Sequence, residues 1–310
     1  MESALKILAI GEVMLEFSKK NNGDFQQSYA GDVYNTLYYL ARSPQFDCAL
    51  YTAVGNDIYS QQLLNRISEN NISTEFIFQH SQKQLGLYLI QNDQAGERSF
   101  SYYRNDSAAT EMLTFLTSEF EQSIVTNQVI YLSGISLAIL AQPAQQQLIQ
   151  FLQKCSQQGV QIYFDNNYRE RLWTNAQQAQ QLFEQLHTIA DVLFVTFDDE
   201  QKCFGDSNLE ATFKRYQDRK GITVIKNSEA PVCVLSANHC QQYPVPFVES
   251  IIDTTGAGDT FNAGFMQQYL QTRHIENSCA NGADLAGQVI QHRGAIISTF
   301  AKEAVTEMSS

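Results

Sequence analysis

The chain has 310 residues, 44% of them hydrophobic, with a formal net charge of −13 and a pI near 4.8. That is enough for one large α/β domain or two smaller ones, and no run of about 18 apolar residues suggests a transmembrane helix. The acidic balance and the lack of a Lys/Arg block argue against nucleic acid or an anionic membrane as partner, so an anionic substrate must be met by local cations.

From Met1 the chain runs directly into an apolar strand, Leu5 to Ile10, with no signal-peptide pattern. Val33 to Arg42 reads as a helix with Leu37, Leu40 and Ala41 on its apolar face, followed by a strand at Ala49 to Val54 and a helix at Tyr59 to Asn70. Gly86 to Gln91 and Arg98 to Arg104 read as two strands around Asp93-Gln94-Ala95-Gly96, a hairpin signal. Strands and helices then alternate. Strands are expected at Val129–Ser133, Gln161–Phe164, Val192–Val195, Ile222–Ile225, Val232–Leu235 and Val248–Ile252. Helices are expected at Gln142–Gln157, Asn175–His187, Leu209–Lys220, Thr260–Gln271 and Asn277–His292. This β-α alternation predicts an α/β fold with an open, mostly parallel sheet and helices on both faces. The six cysteines (Cys48, Cys155, Cys203, Cys233, Cys240, Cys279) form no Cys-x-x-Cys pair, which suggests reduced, mostly buried thiols and a cytoplasmic protein.

The join Ile252-Asp253-Thr254-Thr255-Gly256-Ala257-Gly258-Asp259-Thr260-Phe261 carries the most chemistry. Gly256 and Gly258 let the backbone turn sharply and approach a ligand. The helix that follows starts with unpaired N–H groups and a positive dipole end, so Gly256, Ala257 and Gly258 form an anion site suited to a phosphoryl group in transfer. A carboxylate inside that site, Asp259, is unfavourable unless it has a task, and accepting a proton from an attacking hydroxyl is such a task. Simple capping of the helix is the plainer alternative.

Three further clusters stand at turns or strand ends. Tyr29-Ala30-Gly31-Asp32-Val33-Tyr34-Asn35 opens a helix, where Asp32 has the alternative role of N-cap. On the paired strands Tyr88, Tyr102 and Arg104 can share a face, and a guanidinium beside phenols is a good carboxylate clamp; a cross-strand aromatic pair with a surface Arg is the alternative. Phe164-Asp165-Asn166-Asn167-Tyr168-Arg169-Glu170-Arg171-Leu172-Trp173 lies at the end of a strand, where ligands bind in open α/β sheets.

The string Asp253-Thr-Thr-Gly-Ala-Gly-Asp259-Thr-Phe261 resembles the second signature of the ribokinase-like (PfkB) carbohydrate kinases, and the resemblance spans Ile7 to about Ile297. The Gly31-Asp32 turn and the segments Leu85 to Ile90 and Gly96 to Ala109 are similar to the 2-keto-3-deoxygluconate kinases of that family. The resemblance implies a ribokinase-like fold: one kinase domain over 1–310, with a small β lid from about 12–29 and 84–107. It also implies ATP-dependent phosphorylation of the terminal (6-) hydroxyl of 2-keto-3-deoxygluconate, with Mg²⁺, a monovalent cation as an option, and a homo-oligomer joined through the lid.

The resemblance carries roles onto positions of this chain. Gly31, Asp32, Asn35, Tyr88, Tyr102, Arg104, Arg169 and Asp259 would meet the sugar acid, with Asp259 as general base. Asn167, Arg169, Lys226, Ser228, Gly256, Gly258 and Asn281 would meet ATP. Glu200 would organise Mg²⁺ indirectly. There are departures: Ala30 for the first Gly of the sugar turn, Phe197-x-x-Glu200 for Asn-x-x-Glu, and Ser228 and Pro231 for the glycines of Lys-x-Gly-x-x-Gly. A fructokinase or nucleoside kinase is the nearest alternative. A non-catalytic sugar- or nucleotide-binding protein is another, favoured only by the altered loop after Lys226. A dinucleotide-binding dehydrogenase is disfavoured, because Gly11 stands alone without Gly-x-Gly-x-x-Gly.

Overall fold

The apolar runs pair side by side into a sheet. The computed structural model describes residues 4–20, 22–92, 98–124, 128–236 and 239–297. Its strands are β1 (Leu5–Ile10), β2 (Met14–Lys19), β3 (Phe25–Ala30), β4 (Phe46–Val54), β5 (Ile72–Ser73), β6 (Ile77–Gln79), β7 (Leu87–Asn92), β8 (Arg98–Tyr103), β9 (Val129–Ser133), β10 (Gln161–Asp165), β11 (Val192–Thr196), β12 (Ile222–Lys226), β13 (Val232–Ser236) and β14 (His239–Tyr243). Its helices are α1 (Asp32–Leu40), α2 (Ile58–Glu69), α3 (Ser118–Ile124), α4 (Gly134–Ala138), α5 (Gln142–Gln157), α6 (Ala176–His187), α7 (Phe197–Phe204), α8 (Leu209–Tyr216), α9 (Ala257–Thr272) and α10 (Ile275–Val289). Two 3₁₀ turns span Ala108–Phe115 and Glu170–Leu172.

The large sheet runs β14-β13-β12-β11-β10-β9-β1-β4-β5, with β6 also beside β4. Its pairs are parallel from β11–β12 through β4–β5, and antiparallel only at β12–β13 and β13–β14. The central strands are apolar without interruption because both faces are covered. Strand alternation splits their side chains. Ile7 and Ala9 face a core shared with Val33 and Leu37 of α1 and Phe261 and Phe265 of α9. Leu8 and Ile10 face the other, with Leu148 and Phe151 of α5 and Leu182 and Phe183 of α6.

A second sheet of four strands, β3-β2-β7-β8, comes from the two segments read as a lid. In it β2 pairs antiparallel with β3 and parallel with β7, and β7 pairs antiparallel with β8, setting Tyr88 opposite Tyr102. The hairpin reversal expected at Asp93 to Gly96 lies outside the described residues.

Some expectations change. Val248–Ile252 is not a strand but irregular chain, with Ile251 and Ile252 exposed. On that side β14 remains the edge of the sheet, and the segment pairs with no strand among the described residues. It is tied instead to the end of α10, where the N–H groups of Ile252 and Asp253 donate to Ile290 O at 2.8 and 3.0 Å. The polar, alternating β2, β3 and β14 and the short α7 carry weak patterns and were not separately expected. Among the described residues no helix is long and apolar enough to cross a membrane. Five cysteines are buried, Cys240 is exposed, and all six are unbridged.

Candidate active site

The parallel strands end together, and the N-termini of α1 and α9 point to the same edge. A cavity of about 370 Å³ lies there, between the large sheet and the small one. The strand ends supply Asp165, Asn167, Arg169, Thr196, Asp199 and Lys226, and the helix starts supply Gly31, Asp32, Asn35 and Gly256 to Asp259. The small sheet and its flanks supply Met14, Ala30, Tyr88, Phe100, Tyr102 and Arg104, with Glu12 beside them.

Helix α9 begins at Ala257, with Gly256 as a left-handed N-cap at φ 75°. A Cβ on Gly256 would lie 2.5 Å from Ala295 Cβ, so both the conformation and the space require glycine. A Cβ on Gly258 would meet only Lys226 Nζ, at 3.5 Å, so that face of the turn looks into the cavity. The expected trio of anion donors is reduced. Ala257 N–H donates to Thr254 O at 3.2 Å, closing the turn, while the N–H groups of Gly256 and Gly258 have no protein partner among the described residues.

Asp259 follows in the first turn of α9. Asn35 Nδ2 donates to its Oδ2 at 2.8 Å, and Thr36 Oγ1 donates to its main-chain carbonyl at 3.0 Å, which joins the two helix starts. Burial pushes the Asp259 carboxyl up to about 7, and the Asp32 charge pushes the same way against the Asn35 hydrogen bond. Its proton affinity is therefore well above that of an ordinary carboxylate.

Asp32 is the first residue of α1 and not its cap. Gly31 is the N-cap, and a Cβ there would lie 2.2 Å from Glu12 O. Asp32 instead accepts from Asn167 Nδ2 at 2.7 Å. Lys226 Nζ donates to Asp165 Oδ2 at 3.1 Å and to Asn262 Oδ1 at 3.0 Å. Arg169 Nη1 pairs with Asp199 Oδ1 at 3.2 Å.

Arg104 corrects the expectation of an open clamp. It lies just past β8, 5% exposed, with its Nη2 against Glu12, and Ser107 Oγ donates to the other Glu12 oxygen at 2.5 Å. A lone guanidinium this deep would be costly, and Glu12 balances it. The Tyr88 hydroxyl is likewise taken, by Glu16. Tyr102 stacks on Tyr88 at 5.3 Å between ring centres, and the Arg171 guanidinium lies over the other side of the site, 3.6 Å from the Tyr102 ring centre.

The structure does not bring three expected residues into the cavity. Glu200 is fully buried behind it, accepting from Asn166 Nδ2 at 2.7 Å and from Tyr216 Oη at 2.6 Å. Thr196 and Asp199 line the cavity instead, with the same spacing one residue earlier. Ser228 is exposed on its loop, at φ 48°, a left-handed shape that glycine adopts more cheaply. Asn281 donates to Gly264 O at 2.7 Å and ties α10 to α9. Sequence reasoning did not single out Glu12, Asp165, Thr196, Asp199 or Arg171 as site residues. The signal for four of them was present, since they stand at or just past the C-terminal ends of parallel strands. Among the described residues no cluster of three or more His, Cys, Asp or Glu side chains is arranged to hold a metal ion.

Comparison with known proteins agrees with this geometry. Residues 4–302 match the pfkB family carbohydrate kinase profile. The chain is 39% identical over 315 residues to a 2-dehydro-3-deoxygluconokinase of Haemophilus influenzae, covering 98% of each chain. Its fold is similar to the crystal structure of a 2-dehydro-3-deoxygluconokinase of Thermotoga maritima (TM-score 0.80, 20% identity, 95% of each chain). It is similar as well to an ATP-bound fructokinase of Xylella fastidiosa (TM-score 0.80, 19% identity, 94% of this chain and 93% of the other). The chain belongs to the pfkB family of carbohydrate kinases and has its ribokinase-like α/β fold with a small β lid.

Proposed function

We propose that this kinase transfers the γ-phosphoryl group of MgATP to the terminal hydroxyl of 2-keto-3-deoxygluconate. The observation that carries the reading is Asp259, a carboxylate of raised proton affinity facing the cavity, beside the Gly258 N–H at a helix start, which has no partner among the described residues. Near-full-length similarity to 2-dehydro-3-deoxygluconokinases supports the substrate.

In this reading Asp259 orients the attacking hydroxyl and accepts its proton, and Asn35 holds the carboxylate in place. The Gly256 and Gly258 N–H groups and Lys226 stabilise the charge of the transferring group. Asn167 and Arg169, which line the same cavity, would face the phosphates. Magnesium enters with the nucleotide and needs only one or two protein carboxylates beside phosphate and water. Asp165 and Asp199, the carboxylates nearest that need, are already engaged by Lys226 and Arg169, so the ion would be held chiefly by phosphate and water, and it would neutralise phosphate charge. Asp32, Asn35 and Tyr102 would meet the sugar, and the small sheet would exclude water. The whole of 1–310 would act as one cytoplasmic kinase unit. Phe25 and Tyr103, both exposed on the small sheet, support a homo-oligomer joined there.

The test is ADP release over a panel of sugars and sugar acids with the unmodified enzyme. The sugar acid should be turned over fastest. Faster turnover of fructose or a nucleoside would overturn the substrate and leave the carbohydrate-kinase family intact.

A further inference from the structure

We propose that Arg171 reads the carboxylate of the substrate, with Tyr102 of the small sheet as the platform that holds it. The inference rests on the sugar-acid assignment above. Four cationic side chains line the cavity, and three are already balanced. Arg104 is against Glu12, Arg169 against Asp199 and Lys226 against Asp165. Arg171 alone has no ion-pair or side-chain hydrogen-bond partner among the described residues; its guanidinium lies over the Tyr102 ring.

That contact suits the task. A guanidinium stacked by its face on an aromatic ring keeps its N–H edges free, and those edges match a carboxylate through two parallel bonds. The platform is itself held, because Tyr102 stacks on Tyr88 and the Tyr88 hydroxyl is anchored on Glu16. In a chain of net charge −13, an anionic substrate needs a cation that no internal carboxylate has neutralised. Arg171 belongs to the 3₁₀ turn Glu170–Leu172 on the large-sheet side, whereas Tyr102 belongs to β8. A carboxylate bound there would therefore favour the arrangement in which the two parts meet, and a neutral sugar would not.

The experiment compares Arg171→Ala, Arg171→Gln and Arg171→Lys on 2-keto-3-deoxygluconate and on fructose. Arg171 is exposed, and the Gln variant keeps most of the stem, so folding should survive. For the sugar acid, Ala and Gln should lower kcat/KM by roughly tenfold to a hundredfold, mainly through KM. The fructose value should stay within about twofold, since it has no carboxylate to lose. Lys should recover part of the loss. Equal losses on both sugars would overturn the inference and make Arg171 a strut for the small sheet. A sugar-acid preference that survives all three substitutions would overturn it too, while leaving the substrate assignment standing. Preference of the unmodified enzyme for fructose would overturn the assignment and this inference together.

Discussion

Burial lifts the carboxyls of Asp259 and Glu200 to about the same pKa, near 7, yet the two differ in how many of their hydrogen bonds are made and in what they face. Glu200 sits in a closed network. Both its oxygens accept hydrogen bonds, from Asn166 and Tyr216, and Asn166 Oδ1 in turn accepts from His187 Nε2 at 2.8 Å. Burial drives His187 down to about 3, so its ring is neutral. Asp259 has one side-chain hydrogen bond, a like charge nearby and a face on the cavity. A raised proton affinity therefore marks burial in both places. What separates a site from a structural network is the unfilled bonding capacity that faces a cavity. The Glu200 network has a positioning effect, because it fixes Asn166, whose neighbour Asn167 holds the left-handed φ of 30° that turns its amide onto Asp32.

The largest expected effect lies at Asp259. Asp259→Asn should lower kcat by at least about a hundredfold, the scale of a positioned general base, while ATP binding changes little. Glu200→Gln should lower kcat only slightly. Comparable losses in the two variants, measured by steady-state kinetics, would erase the distinction between them.

The anion donors come next. A Cβ at Gly258 meets only Lys226 Nζ, at 3.5 Å, so the branches of Gly258→Val should enter the cavity. The variant should fold normally and lose roughly tenfold to a hundredfold in kcat, as expected when a preorganised donor site is obstructed. A folded variant with unchanged kcat would remove the turn from the mechanism.

The smallest effects are in pH dependence. If Asp259 is the base, kcat/KM of the unmodified enzyme should rise with pH and level off above about 7, and Glu200→Gln should keep that limb. A limb that moves with Glu200 instead would reverse the comparison. Stability should run the other way. Each group binds a proton in the fold that the unfolded chain releases near the ordinary values of 3.8 and 4.5. Their contribution is thus complete at low pH and lost as pH rises through about 7. Tm should fall between about pH 4 and 7, and the fall should be shallower in Asp259→Asn and in Glu200→Gln.

Arg104 and Glu200 show where sequence reading stops. The charge of Arg104 was legible, but its partner Glu12 sits at the end of a different strand in the other part of the molecule. The carboxylate near Thr196 was legible as well, but an α-helix turns about 100° per residue, so adjacent acids point in different directions. Once α7 starts at Phe197, Asp199 faces the cavity and Glu200 faces the core.

The sequence by itself determined the parallel sheet, the two helix starts at Gly31 and Gly256, and the placing of Asn35, Asn167, Lys226 and Asp259 at strand or helix ends. These depend on short-range rules: uninterrupted apolar runs for buried strands, and glycine where the backbone turns or crowds another chain segment. Only the tertiary structure decided which charges are cancelled, which are left open, and which hydroxyls and amides already have partners. Those outcomes depend on contacts between distant segments, where the cost of burying a charge is met by whichever opposite charge the fold brings near.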